Sequence, residues 1–380
     1  MNQPSFFDLI DRNKKLTQMG DPLIVLNAQI NWEEFRFDLN IIHQKDRKSN
    51  AGAKPIDVIL MFKILVLQQL NNLSDDRIEY QIRDRLSFMR FLGLNFEDKV
   101  PDAKTVWLFR ENLKEHKLME VLFARFHQQL ANAGYITKAG QMIDATFVEV
   151  PRQRNNRDEN KQIKAGEIPE EWKSEGKSEM EIRKNQSMLR QKDVDARWTK
   201  KNEQNYYGYK NHINADQDTK LIQNYQVTTA SVHDSQVFES ILDQATIIDS
   251  IDQVGTNQKR PVYADSAYRS AEKEEFLEDN NIASHICEKG AKNHPLTEEQ
   301  KASNTQKSKV RSRVEHIFGA QAHFGGHLVR TIGMARAEVK IGMMNLVYNM
   351  VRLTQLIKLQ IKAQIKEQGI VPSLGNLKTA

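Results

Sequence analysis

The chain has 380 residues, of which 39% are hydrophobic and 28% are charged, and its formal net charge is +5. A chain of this length can hold two or three domains, because single hydrophobic cores usually stop growing at about 250 to 300 residues. The composition excludes a globally disordered chain and a fibrous repeat, and it is typical of a soluble globular protein. The single cysteine, Cys287, excludes an intrachain disulfide and a zinc site built from paired cysteines, and it is typical of a cytosolic protein.

No secretory or membrane-spanning segment is predicted. The first residues, MNQPSFFDLIDRNKKL, have no basic segment followed by a long apolar run. The most apolar stretch, residues 55–70, contains Asp57 and Lys63 and is too short to span a bilayer. We therefore expect a buried helix there, a cytoplasmic location and no membrane partner.

Residues 1–135 are predicted to form a helical N-terminal domain that serves in DNA binding or dimerisation. Pro55 suits the first turn of a helix, and residues 56–70 follow it with almost continuous apolar character. Ser74 can cap the next helix, DDRIEYQIRDRLSFMRFLGL, which Gly93 closes.

The next predicted helix, AKTVWLFRENLKEH, has Asp102 as its cap. Two capped helices joined by a short turn resemble a helix-turn-helix, in which the second helix reads DNA. The candidate DNA contacts on this second helix are Lys104, Thr105 and Arg110. Any helical bundle contains such helix pairs, so packing without DNA contact remains the alternative.

Residues 136–367 are predicted to form an α/β domain, followed by a tail over residues 368–380. Alternating apolar residues in GQMIDATFVEVP indicate a strand bounded by Gly140 and Pro151. Residues 152–204 are rich in Lys, Glu, Asn and Gln and contain few aliphatic residues. We interpret them as a charged insertion between two strands of the core.

The rest of this domain alternates between strands and helices. YYGYKNHINAD and KLIQNYQVTTAS are predicted to form a hairpin with its turn near Asp216 to Thr219. The elements predicted after the hairpin are a helix over about 235–247, a strand at PVYAD, a helix over about 271–280, a strand at IASHIC and a helical region over about 309–367. This order predicts a mixed sheet covered by helices.

Two acidic residues lie in or at the end of predicted strands. Asp144 is flanked by Ile143 and Ala145, and Asp265 ends the strand PVYAD. An acid in an apolar strand carries a desolvation cost unless it is paired or binds a cation. If the two strands are neighbours, the carboxylates converge near the edge of the sheet where α/β proteins bind ligands. For either acid alone, a hydrogen-bonded cap or turn residue is the alternative.

Glu315 is a third acid, just after the basic run KASNTQKSKVRSR, which holds five basic residues and no acid. With Asp144 and Asp265 it would supply the oxygen ligands that Mg²⁺ or Mn²⁺ prefers. Two such ions about 4 Å apart can activate a nucleophile and stabilise the leaving oxygen of a phosphodiester. The candidate phosphate contacts in the run are Lys307, Lys309, Arg311 and Arg313. The alternatives are a solvated basic surface and an i,i+4 ion pair between Arg311 and Glu315.

The segments that carry the three acids, MIDATFVEV, YADSAYRS and RSRVEHIFG, resemble the DDE transposases of bacterial insertion sequences, specifically the group named after insertion sequence 5. LSDDRIEYQIRDRLSFMRFLGL and VPDAKTVWLFRENL resemble the N-terminal domain of that group. The resemblance implies a ribonuclease-H-like catalytic core. It also implies that Asp144, Asp265 and Glu315 are catalytic residues and ligands of two Mg²⁺ or Mn²⁺ ions.

The resemblance is incomplete around the last acid. Related enzymes often have Tyr, Arg, Glu and Lys at fixed offsets there. Arg311 occupies the Arg position, but Ser308 and Ala322 stand where Tyr and Lys would be. The roles of those two side chains cannot be carried over, and Lys309 or Arg330 is a candidate to bind the phosphate instead.

The segment YGYKNHI resembles the second strand of the family's core, which implies that Lys210 and His212 contact DNA near the metals. The implied function is a transposase that binds the ends of its insertion sequence. Water activated by one metal would cleave the DNA, and the freed 3′-hydroxyl would attack target DNA.

The implied partners are the element's ends, the target DNA and further copies of the chain, in a homodimer or higher oligomer at the bacterial nucleoid. Two alternatives remain: a ribonuclease-H-like nuclease without strand transfer, and a helix-turn-helix DNA-binding protein without catalysis. The nuclease would cut DNA ends but never join them, and the binding protein would need no metal.

Overall fold

The computed structural model describes residues 6–44, 54–242, 259–290 and 294–367, with gaps at 138, 154, 170–171 and 202 and several between 173 and 190. The predicted tail over residues 368–380 lies outside the described residues. The chain forms two compact units, Met1–Tyr135 with Leu346–Ala380, and Ile136–Asn345. Within the described ranges, no helix combines the length and the apolar character needed to cross a membrane.

The described part of the first unit is built from helices. They are α1 (Phe6–Gln18), α2 (Pro22–Gln29), α3 (Arg36–Leu39), α4 (Val58–Leu70), α5 (Asp75–Asp84), α6 (Leu86–Leu92), α7 (Ala103–Glu115) and α8 (Leu118–Asn132). Helix α4 is apolar on nearly all sides and buried along most of its length, as predicted. It begins at Val58 because the Asp57 side chain caps it. The Trp32 ring packs edge-on against Phe62 and Phe91, with centroids 6.1 and 5.7 Å away.

The predicted caps in this unit are confirmed. The side chains of Ser74 and Asp102 accept backbone N–H groups at the starts of α5 and α7, and Gly93 ends α6 in the left-handed conformation, with φ 73°. The prediction of one continuous helix between Ser74 and Gly93 is wrong. Arg85 is extended, with φ −103° and ψ 112°, and separates α5 from α6. This bend allows each helix to bury its own apolar side chains.

Arg110, which was predicted to contact DNA, forms its side-chain hydrogen bonds within the helical unit. Its guanidinium donates to both carboxylate oxygens of Asp75, at 2.8 and 2.7 Å, and to Gln68 Oε1 at 3.1 Å. The pair ties α7 to α5, because a bidentate arginine–carboxylate contact fixes both position and orientation. Lys104 is exposed and Thr105 half-buried on the first turn of α7. Both side chains are therefore accessible to a ligand such as DNA.

The second unit contains six strands and several helices in its described part. The strands are β1 (Gln141–Glu149), β2 (Arg197–Lys201), β3 (Gln204–Asp216), β4 (Ile222–Thr229), β5 (Arg260–Ala264) and β6 (Ile282–Ile286). The helices are α9 (Arg157–Lys164), α10 (Phe238–Ile241), α11 (Ala271–Asp279), α12 (Glu298–Arg311), α13 (Arg313–His323) and α14 (Met334–Glu367). Helix α14 is divided between the units after Asn345, whereas the sequence placed all of it in the second domain.

The strands form one mixed sheet in the order β2-β3-β1-β5-β6, and β4 pairs with β3. Strand β1 is antiparallel to β3, from Gln141 opposite Asp216 to Glu149 opposite Gly208. Strands β1, β5 and β6 run parallel. The predicted hairpin is confirmed as β3 and β4. Helices α10, α11 and α13 contact β4, β6 and β1. The predicted α/β fold, a mixed sheet flanked by helices, is therefore confirmed.

Each face of the sheet is covered by its own apolar cluster. On one side, Ile143 and Val262 pack with Phe238 of α10. On the other side, Val148 packs with Met344 of α14. Side chains alternate along β1 between these two faces, which explains the alternating apolar pattern of its sequence.

A buried polar network holds α13 and α14 against β3. Asn345 Oδ1 accepts from Asn211 Nδ2 at 2.9 Å and from Gln321 Nε2 at 2.7 Å, and Asn345 Nδ2 donates to Asn211 Oδ1 at 3.0 Å. All three side chains are almost completely buried. A satisfied network of this kind specifies one position for each helix.

The region predicted to be helical over about 309–367 contains two breaks. Ser312 separates α12 from α13, and Gly325, with φ 76°, follows the end of α13. The chain then returns to β1, where Val329 N donates to Glu149 O at 2.9 Å. The return requires a tight turn, which glycine permits at low steric cost.

Two other predicted segments differ from the structure. The described part of residues 152–204 contains α9 and β2, and β2 pairs with β3, so this segment contributes a strand to the sheet. Of the helix predicted over about 235–247, the described part contains a short 3₁₀ turn and α10, and residues 243–247 lie outside the described residues.

Lys210 and His212, which were predicted to contact DNA, face the interior. His212 is fully buried, and its Nε2 lies 2.8 Å from Thr228 Oγ1. Lys210 Nζ donates to Asp234 Oδ1 at 2.8 Å and to Val232 O at 2.7 Å. A buried charge needs such partners, because an unpaired one is costly. In this structure both residues therefore stabilise the fold instead of presenting their side chains to DNA.

The polar network predicts the effect of Asn345→Leu. This change removes the hydrogen bonds of Asn211 and Gln321 to residue 345, so the free energy of unfolding should fall by about 2 to 4 kcal/mol. Urea denaturation measures it. Asn205→Ala, at an exposed position of β3, is the control and should change the free energy by less than about 0.5 kcal/mol. A similarly small effect of Asn345→Leu would contradict the role of the network.

The burial of His212 predicts a pH-dependent stability. Burial lowers the pKa of His212 to about 4, opposed by Asp234 and supported by Lys210. The folded state keeps the ring neutral while the unfolded chain takes up a proton below about pH 6.5. Stability is therefore lost as pH falls, by about 2 kcal/mol between pH 7 and 5. His212→Gln should remove that part of the slope in urea titrations at the two pH values. An unchanged slope would show that the ring is accessible to protons in the folded state.

Candidate active site

The structure brings Asp144 and Asp265 to neighbouring positions. Met142 of β1 is opposite Tyr263 of β5 in the parallel register, and each acid lies two residues further along its own chain. Beyond this pair, β1 continues beside β3 alone, and β5 ends at Ala264. We call the place where the two strands separate the β1/β5 fork. The two strands are therefore neighbours, which is the condition that the sequence analysis set for the two carboxylates to converge.

Backbone groups hold both carboxylates in position. Asp144 Oδ1 accepts from Ala145 N at 2.8 Å. Asp265 Oδ1 accepts from Ala267 N at 2.7 Å and caps the 3₁₀ turn Ser266–Tyr268. The cap proposed as the alternative for a single acid is thus present at Asp265, but it uses only one of the two oxygens. Within the described residues, Asp265 Oδ2 has no hydrogen-bond partner.

Arg311 is the cation at the fork. It is the last residue of α12, which contacts both β1 and β5, and its Nη1 lies 2.6 Å from Asp144 Oδ2. The side chains are 22% and 13% exposed, so water screens the pair only weakly. The alternative ion pair between Arg311 and Glu315 is not formed, because Ser312 places these residues on different helices.

The fork favours a further positive charge. Burial raises the pKa of Asp144, and the nearby Asp265 raises it further, whereas Arg311 and Lys201 act in the opposite direction. The Arg311 guanidinium pairs with Asp144, whereas Asp265 Oδ2 is available as a hard oxygen ligand of the kind that Mg²⁺ and Mn²⁺ prefer. The two aspartates therefore fit a divalent cation by their chemistry.

Glu315 is not joined to the two aspartates in this structure. It lies exposed on the first turn of α13, and its side chain forms no hydrogen bond or ion pair among the described residues. The described part of the chain contains no group of three or more acid, His or Cys side chains that could hold a metal ion. The aspartate pair is thus preformed, and the predicted triad is not.

Sequence reasoning missed two residues beside the fork, Asp234 and Tyr268. Tyr268 is fully buried, and its hydroxyl has no hydrogen-bond partner among the described residues. Burial raises the pKa of Tyr268 well above its usual range, and the charges of Asp234, Asp144 and Asp265 raise it further. Asp234 is therefore a third acid in this neighbourhood, with Lys210 as its counter-ion. The signal for it was an acid a few residues after the end of a strand, in SVHDSQ.

The basic run before Glu315 is only partly free to bind phosphate. Lys307 Nζ donates to Ile286 O at 3.1 Å, and Arg313 Nη1 donates to Gln217 O at 3.2 Å. Lys309 is exposed, and so is Arg330, the other predicted phosphate contact. The free cations are thus fewer than the sequence indicated.

Two family models match the chain. The model described as "Transposase DDE domain" matches residues 137–350, more than half of the chain, and the model described as "Transposase domain (DUF772)" matches residues 11–112. The chain is also similar to a solved structure, "Cryo-EM structure of piggyBac transposase synaptic complex with hairpin DNA (SNHP)". This likeness has a TM-score of 0.43 and 13% identity and covers 96% of this chain and 80% of that chain.

The first of these matches includes the whole β1/β5 fork and the helices α12 and α13. Such a match over more than half of the length shows the family, and the chain belongs to the DDE transposases.

Proposed function

We propose that this protein is a transposase of the group named after insertion sequence 5. It binds the ends of its insertion sequence, cleaves the DNA by metal-dependent phosphodiester hydrolysis and joins the 3′-hydroxyl ends to target DNA. The observation that carries the proposal is the aspartate pair, Asp144 and Asp265, at the β1/β5 fork. The sheet order, with antiparallel β3 and β4 beside parallel β1, β5 and β6, supports a ribonuclease-H-like core.

Asp144 and Asp265 would hold Mg²⁺ or Mn²⁺, and we propose two ions, as in other enzymes that displace phosphodiesters. Bound there, such ions favour the deprotonated attacking oxygen and offset charge on the leaving oxygen. The chain's own part is to keep the carboxylates in place. The backbone N–H groups of Ala145 and Ala267 do this for one oxygen of each acid.

Glu315 would complete the site from α13. Its side chain is exposed and has no partner among the described residues, so it can turn toward a ligand without breaking an existing interaction. Arg311 would then exchange its contact with Asp144 for a DNA phosphate, which a guanidinium binds bidentately. Lys309 and Arg330 would bind the DNA backbone, and Lys104 and Thr105 would contact DNA from the N-terminal unit.

We propose a homodimer or higher oligomer on DNA, at the bacterial nucleoid in the cytoplasm. The same site could cut DNA without joining it, and a helix-turn-helix protein would need no acids in the sheet. The burial of Asp144 beside Asp265 argues against the second of these alternatives. Formation of a joined product distinguishes the transposase from the nuclease.

Glu315→Gln is predicted to abolish cleavage without abolishing DNA binding. The change keeps the size of the side chain but removes the charge that would hold a cation, so cleavage of DNA carrying the element's ends should fall by several orders of magnitude. Cleavage and joining are measured on gels with Mg²⁺, and binding is measured by anisotropy without metal.

Glu299→Gln is the matched control, because Glu299 is also an exposed glutamate on the first turn of a helix, α12. It should keep normal cleavage, and Asp144→Asn and Asp265→Asn should lose it. Near-normal cleavage by the Glu315 variant would remove this residue from the site.

The structure predicts different outcomes for two neighbouring lysines. Lys309→Gln should weaken binding to all DNA sequences and reduce the slope of log affinity against log salt by about one unit, because an exposed phosphate contact is lost. Lys307→Gln should change the slope less and lower the thermal stability, because its ammonium group binds Ile286 O. Salt titrations of DNA binding and thermal melts measure both. Equal slopes for the two variants would contradict the assignment.

A further inference from the structure

Two cavities are lined in part by the segment between β1 and β3. The first, of about 210 Å³, is walled in part by the rings of Trp198 and Tyr207. The second, of about 330 Å³, is lined by Arg152, Arg330 and Thr331 among others. Arg152 links them, because its guanidinium carbon lies 5.6 Å from the centroid of the Trp198 ring. The aromatic wall and the basic lining are therefore neighbours.

The second cavity contains polar atoms without a partner. Gln153 Oε1 and Thr331 Oγ1 are buried and form no hydrogen bond among the described residues. A buried polar atom without a partner destabilises the fold, so such atoms point to a polar ligand. Gln153 and Thr331 line the same cavity, so one ligand there could form hydrogen bonds with both atoms.

The charge of the second cavity selects an anion. Arg152 and Arg330 are both exposed at its lining. Asp193 is the acid in the lining, but Tyr209 Oη donates to its carboxylate at 2.8 Å and Ala196 N does so at 3.0 Å. The Asp193 carboxylate is therefore bound by groups of the protein interior. Two guanidiniums beside a hydroxyl are a typical phosphate environment.

The first cavity offers a stacking surface. Trp198 is 40% exposed although it is a large aromatic residue, and its ring lies 4.9 Å from the Tyr207 ring at an angle of 34°. Its strand, β2, is the last in the sheet order. An exposed ring beside cations is the arrangement with which proteins stack unpaired bases. The cavity is large enough for one base and too small for a duplex.

We propose that these neighbouring cavities bind one unpaired nucleotide of a DNA strand, with its base against Trp198 and its phosphate on Arg152 and Arg330. The choice of DNA as the source of this nucleotide rests on the proposed function. The site follows the end of β1, and Val150 is about 20 Å along the chain from Asp144 at about 3.3 Å per residue. A few nucleotides of one strand span that distance, so one DNA strand could occupy both sites.

The test compares binding of the full-length protein to a blunt duplex and to the same duplex with a single-stranded overhang. Fluorescence anisotropy without divalent metal measures the two affinities, so catalysis plays no part. Stacking of one base predicts about a tenfold preference for the overhang. Trp198→Leu should abolish the preference, Trp198→Phe should keep most of it, and Arg330→Gln should reduce it.

Lys161→Gln is the matched control, because Lys161 is an exposed cation of α9 that does not line either cavity. It should leave the preference unchanged. A preference that survives in a folded Trp198→Leu protein would overturn the proposal, as would equal binding of both duplexes by the unchanged protein. Competition by a free deoxynucleotide at micromolar concentration would overturn the assignment to a DNA strand. Glu315→Gln should keep the overhang preference, so a failure of the proposed catalysis remains distinguishable from a failure of this site.

Discussion

The pairing of β1 is the constraint on which the rest of the second unit depends. Its antiparallel ladder with β3 runs from Gln141 to Glu149, whereas its parallel ladder with β5 ends at Met142. Because the ladder with β3 is longer than the ladder with β5, β1 and β5 separate beside Asp144. A slip of one residue in either ladder would turn Asp144 to the opposite face, toward the cluster of Ile143. The register of one strand therefore decides whether an acid lies at the fork.

The second constraint is that acids near the fork need positive partners, and only two of the three have one. Asp144 is paired with Arg311, and Asp234 is paired with Lys210. Asp265 forms no ion pair among the described residues, so one carboxylate at the fork has no counter-ion there. A bound cation would supply that counter-ion. Functional sites often retain an unfavourable feature of this kind, because removing it would remove the activity.

The same basic residue types serve packing at some positions and remain free at others. Arg110 ties α7 to α5, Lys210 neutralises a buried acid, and Lys307 binds the end of β6. Lys309 and Arg330 are exposed and remain available for phosphate. A charge count treats all five alike, although the desolvation of a side chain depends on the elements packed around it. For this reason, DNA contact was predicted for more residues than the structure leaves available.

The sequence by itself determined the elements whose signals are local. The caps at Ser74 and Asp102, the end of a helix at Gly93, the alternation in β1 and the hairpin of β3 and β4 all follow from short-range sterics and hydrogen bonding. The two strands beside the aspartates were also predictable from their apolar residues. The aspartates themselves stood out because an acid in an apolar strand carries a desolvation cost. Tertiary structure alone decided that Arg311 binds Asp144 across 167 positions of sequence, that Ser312 divides the helix before Glu315, and that the interior encloses His212. These outcomes depend on which distant parts of the chain pack together. A local sequence pattern does not show which residue will lie beside a given side chain in the folded protein.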